Sequence, residues 1–117
     1  MTAAELHALV APLWERCPEL RPAIPGHRLG LYPHAGYWCW IPDGSELGAR
    51  DLDDTCAAAL IRVAIEDWLY DDFSRLSPPF READGGWYIA NGGERGPTKL
   101  HALVATAHAV LDAKATV

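Results

Sequence analysis

Apolar residues recur along this chain in two rhythms, one of helices and one of strands. Leu6, Leu9, Val10, Leu13 and Cys17 fall three or four apart and predict one amphipathic helix near the amino end. Thr2 and Glu5 precede it with the spacing of a capping box, Pro12 predicts a kink or early end, and Pro18 stops it. Residues 18–28 carry Pro18, Pro22, Pro25 and Gly26 and read as an ordered loop. Leu29 to Tyr32 and Tyr37 to Ile41 read as strands around a turn at Pro33-His34-Ala35-Gly36. Asp51 is the expected cap of a helix from about Leu52 to Tyr70, with Ala57, Leu60, Ile61, Ala64 and Trp68 as its core stripe. Ser77-Pro78-Pro79 breaks the chain, and Phe80 to Glu82 and Trp87 to Ala90 suggest a second hairpin. A last helix runs from about Pro97 to Ala113, its stripe being Leu100, Leu103, Val104, Ala107 and Leu111. The expected fold class is α+β, an α-ββ-α-ββ-α sandwich with antiparallel hairpins, in one domain covering residues 1–117.

The two halves of the pattern resemble each other. Trp40-Ile41-Pro42-Asp43-Gly44-Ser45-Glu46-Leu47-Gly48 lies without gaps over Tyr88-Ile89-Ala90-Asn91-Gly92-Gly93-Glu94-Arg95-Gly96. With a five-residue shortening of the second loop, Thr55 falls on Thr98, Leu60 on Leu103, Ile61 on Val104 and Ala64 on Ala107. The expectation is an internal duplication of a strand–loop–helix unit, two copies sharing one sheet and one core. Each copy has a short aromatic strand, a polar Gly-containing loop, a Thr and an Ala/Leu-rich helix, at Trp40 to Leu69 and Tyr88 to Leu111. In this order the chain resembles small proteins of tailed-phage genomes of the phage ABA-sandwich type, over about half its length. The resemblance implies a phage or prophage accessory protein and carries over no functional residue.

Composition narrows the classes. Half of the 117 residues are hydrophobic and 22% are charged, which is globular composition. The formal charge of -6 argues against nucleic acid as a partner, because phosphate neutralisation needs clustered basic residues. No apolar run approaches the roughly 20 residues that span a bilayer, and the first residues lack the pattern of a signal peptide. A cytoplasmic location is the default expectation. Cys17, Cys39 and Cys56 are widely spaced, odd in number and set among apolar residues, so each is expected to act as a small hydrophobe.

The best site candidate is the aromatic strand, where alternation puts Tyr37, Cys39 and Ile41 on one face and Trp38 and Trp40 on the other, with Tyr88 matching the second. An open face of this kind would serve a protein partner or a homodimer. Glu66, Asp67, Asp71 and Asp72 put negative charge at the carboxyl end of the middle helix, where it opposes the helix dipole and suits a basic partner. An alternative is anion or nucleotide binding by Arg95, Thr98 and Lys99 at the start of the last helix. His101 and His108 with Asp112, or His34 in its loop, are the residues a small enzyme would use. No catalytic motif surrounds them, and neither a cofactor nor a metal is expected. The leading expectation is therefore a binding protein that inhibits or modulates a host protein.

Overall fold

The computed structural model describes residues 1–32, 36–45, 50–72 and 75–115, without the side chains of residues 50, 51 and 72. The fold is α+β, with three α-helices and antiparallel strands among the described residues. The chain divides into two compact units, residues 1–64 and 65–117, with the boundary inside the second helix.

Unit one opens with α1, Ala3–Arg16, which buries Ala3, Leu6, Val10, Leu13 and Trp14. The capping box forms: the Thr2 hydroxyl accepts the Glu5 N–H at 3.1 Å, and the Glu5 carboxylate accepts the Thr2 N–H at 3.3 Å. Pro12 does not end the helix. It costs the Ala8 carbonyl its donor, and both residues are exposed, so water can replace the lost bond. After a 3-10 turn at Pro18–Leu20 come β1 (Ala23–Ile24), β2 (His27–Leu31), β3 (Trp38–Pro42) and β4 (Arg50–Leu52), hydrogen-bonded in that order. The register sets Leu29 opposite Trp40, and Trp38 opposite both Leu31 and Leu52. Period-two alternation puts Leu29 and Trp38 on one face and Cys39 and Ile41 on the other, and all four are buried.

The second helix, α2, spans Asp54–Asp72. Asp51 is not its cap, because it belongs to β4 and pairs with Cys39. Asp53 takes that role, its carboxylate accepting the Cys56 N–H at 2.7 Å. The buried row is Ala57, Ile61, Ile65 and Leu69, whereas Leu60, Ala64 and Trp68 are half-buried. An apolar run on almost every side from Ala57 to Ile65 leaves the rotation of the helix to its surroundings.

Unit two holds β5 (Phe80–Arg81), β6 (Trp87–Tyr88), β7 (Arg95–Gly96) and α3, Lys99–Ala115. Its strands form a sheet of their own, so among the described residues there are two sheets and not the single shared one expected from the repeat. Each unit nevertheless has consecutive antiparallel strands that run on into a helix. Arg81, Trp87 and Gly96 share the sheet face under α3. A Cβ on Gly96 would stand 2.6 Å from the Ala102 nitrogen, so only glycine admits this close approach. The buried Thr106 hydroxyl accepts the Glu94 N–H at 3.0 Å and ties the β6–β7 loop to α3. Around it Ile89, Ala102, Leu103 and Ala107 are fully buried. Three strands escaped the sequence reading, because β1, β4 and β7 are two or three residues long and carry no alternating pattern.

Candidate binding surface

The face of the second sheet turned away from α3 carries a row of three side chains. Cross-strand register places Phe80 opposite Tyr88, and Tyr88 opposite Arg95. The Phe80 and Tyr88 rings meet edge to face, with centroids 5.3 Å apart and planes at 79°. The Arg95 guanidinium carbon stands 4.5 Å from the Tyr88 ring centroid, within cation–π range. Arg95 Nε also donates to Glu82 at 2.8 Å. That hydrogen bond, and next the Glu82 charge, push the Arg95 guanidinium above its ordinary range. The three side chains thus hold one another in place across three strands of two residues each. Phe80 is 44% exposed and is the one exposed aromatic side chain among the described residues. Aromatic rings with arginine, ordered before contact, are the side chains that dominate protein interfaces.

The residues singled out from sequence fare differently. Tyr88 is the centre of the row, half-buried. Trp38 is not on an open face: it is fully buried, with the Trp14 ring of α1 edge-on at 6.2 Å and His7 at 6.0 Å. The amino-terminal helix supplies those rings. Trp40 is half-buried on the same strand. Of the acidic group, Glu66 lies 3.8 Å from the Lys99 ammonium, Asp67 and Asp71 are exposed, and the side chain of Asp72 lies outside those described. Lys99 is thereby paired, Arg95 is held by Glu82, and the Thr98 hydroxyl caps α3 at the His101 N–H and stands 2.6 Å from His101 Nδ1. All three side chains of the expected anion site are committed to neighbours within the chain.

Among the described residues no group of three or more His, Cys, Asp or Glu could hold a metal ion. His34 and most of its turn lie outside the described residues. Cys17 and Cys39 are buried, but Cys56 in the first turn of α2 is exposed and does not act as a core hydrophobe. No helix among the described residues is long and apolar enough to cross a membrane.

Phe80 and Glu82 were missed as site residues. The observed turn is the three residues Ala83–Gly85, closed by the Glu82 N–H on the Gly86 carbonyl at 2.7 Å, and it sets Phe80 beside Tyr88, whereas a four-residue turn at Ala83–Gly86 would set Phe80 opposite Ile89. No protein-family model, curated protein or solved structure matches the chain.

Proposed function

We propose that the protein acts by binding and docks on a protein partner through the Phe80–Tyr88–Arg95 row. The observation that carries this reading is Phe80, an aromatic ring left 44% exposed on the face of the sheet opposite the one on which Gly96 meets α3. Leaving such a ring in water gives up burial free energy that a partner can recover. The exposed Asp67 and Asp71 of α2 add negative charge in the same unit, which favours a basic partner surface. The phage ABA-sandwich resemblance gives the specific form of the proposal: a cytoplasmic phage or prophage accessory protein that inhibits or modulates a host protein.

The test is capture of a partner from a lysate by the immobilised protein, alongside sedimentation analysis of the protein alone. Phe80→Asp should abolish capture while leaving the circular dichroism spectrum unchanged. Replacing Asp67 and Asp71 with Asn should slow association at low salt only. Self-association that disappears in Phe80→Asp would make the partner a second copy of the chain. Capture that survives Phe80→Asp and Tyr88→Ala together would overturn the proposal.

A further inference from the structure

Unit one contains a pocket that the docking surface does not involve. It has a volume of about 420 Å³ and is lined by His7, Ala11, Trp14, Glu15, Pro18 and Arg21. The first four of these residues share one side of α1, because they follow one another at spacings of four, three and one. Pro18 and Arg21 flank the 3-10 turn that follows, so a short stretch of chain builds the whole wall.

Arg21 is the unusual member. Its Nε donates to the Leu29 carbonyl at 2.5 Å, and its guanidinium carbon stands 5.2 Å from the Trp14 ring centroid. Burial, and secondarily the nearby Arg28 charge, push its guanidinium below the ordinary range. A half-buried cation is normally compensated by a carboxylate. Among the described residues Arg21 has none, and one of its five N–H donors is used. The fold also makes room for it. A Cβ on Gly30 would stand 2.7 Å from Arg21 Nη2, so any side chain at that position would displace the guanidinium.

The surroundings are rich in donors and poor in acceptors. The indole N–H of Trp14, in the wall, and that of Trp38, behind it, are both buried with no hydrogen-bond partner. His7 forms a triangle with those rings, 6.4 Å from Trp14 and 6.0 Å from Trp38, which are 6.2 Å from each other. Glu15 is the opposing charge, and it is exposed whereas Arg21 is half-buried. Positive charge therefore sits within and negative charge at the rim, an arrangement that accepts a monoanion and resists a dianion. Ala11 and Pro18 supply apolar surface beside it.

We propose that this pocket binds the carboxylate of a small organic acid on the Arg21 guanidinium, with the apolar body of the acid against Ala11 and Pro18. The uncompensated guanidinium makes two parallel N–H···O bonds to the carboxylate. Neutral and cationic analogues leave it unpaired, and inorganic phosphate, a mixture of mono- and dianion at neutral pH, has no apolar body to set against Ala11 and Pro18, and its dianionic fraction meets Glu15.

The test is titration of the intact, nitrogen-15-labelled protein with phenylacetate, benzylamine and inorganic phosphate, following the indole N–H resonances. Phenylacetate should shift the Trp14 signal saturably and leave that of Trp87 in place. Benzylamine should not shift it, and phosphate should bind more weakly than phenylacetate. Arg21→Gln should weaken phenylacetate binding by at least about tenfold, the scale for a charged hydrogen-bond partner. Ala11→Leu puts a branched side chain where the apolar body of the acid would lie, leaves Arg21 in the sequence, and should abolish binding in a protein that still folds. A Trp14 signal that phenylacetate does not move, an equal response to benzylamine, tighter binding of phosphate, or binding that persists in Ala11→Leu would each overturn the assignment.

Discussion

The two sheets place an aromatic ring at the same point, half-buried in both, and treat the side chains around it differently. Trp40 and Tyr88 each sit on the middle strand of three consecutive antiparallel strands, with an arginine, Arg50 or Arg95, opposite on the next strand. In the first unit α1 brings Trp14 and His7 onto the face of that strand, and Trp38 two residues away becomes fully buried. In the second unit the corresponding row keeps Phe80 44% exposed and the Arg95 side chain 68% exposed. The neighbours of that ring are thus core in one unit and surface in the other. The deciding element is a helix at the far end of the chain, which strand periodicity cannot register.

The sharpest way to break this comparison is to remove one ring from each sheet. Trp38→Ala should cost about 3–5 kcal/mol of folding stability, the range for emptying a buried aromatic site. Tyr88→Ala, losing mainly edge-to-face contacts near the surface, should cost about 0.5–1.5 kcal/mol. Urea denaturation of both variants measures the difference, and equal losses would mean that both rings are core.

A second pair tests the helices that follow the sheets. Leu60 and Leu103 match in the repeat alignment, yet Leu103 is fully buried and Leu60 half-buried. Leu103→Ala should lose about 2–5 kcal/mol and Leu60→Ala about half as much or less. Comparable losses would restore α2 to the rotation that its sequence pattern suggests.

The caps give smaller effects. Asp53→Ala should lose about 1 kcal/mol through the orphaned Cys56 N–H, read as a lowered urea midpoint at unchanged slope. An equal shift in Asp51→Ala without one in Asp53→Ala would move the start of α2 back to the position expected from sequence. The smallest effect lies at α1. Hydrogen bonding to Thr2, first through its backbone N–H, holds the Glu5 carboxyl below its ordinary value of 4.5. A carboxyl lowered by folding adds stability that is present above the unfolded value and disappears as pH falls through the folded value. Glu5→Gln should therefore lose a small amount of stability at neutral pH, converge on the wild type in acid, and so flatten the stability loss below about pH 4.5. An unchanged acid profile would show that the capping box contributes nothing through charge.

Local order along the chain determined the helices and the two principal hairpins. Three or four residues per repeat made α1 and α3 legible, Thr2 and Glu5 announced the first cap, and the turn at Ala83–Gly86 announced β5 and β6. Those features are set by neighbours within a turn or two, where backbone geometry permits few alternatives. Tertiary structure decided the rest. It chose Ile65 and Leu69 over Ala64 and Trp68 for the buried row of α2, and it recruited β1, β4 and β7 through pairing alone. It set Lys99 against Glu66 and Arg95 against Glu82, joining charges that are 33 and 13 residues apart in the sequence. It also buried Trp38 and left Phe80 in the open. Burial and charge pairing depend on what arrives from elsewhere in the chain, so a strand's own alternation defines its two faces but not which of them meets water.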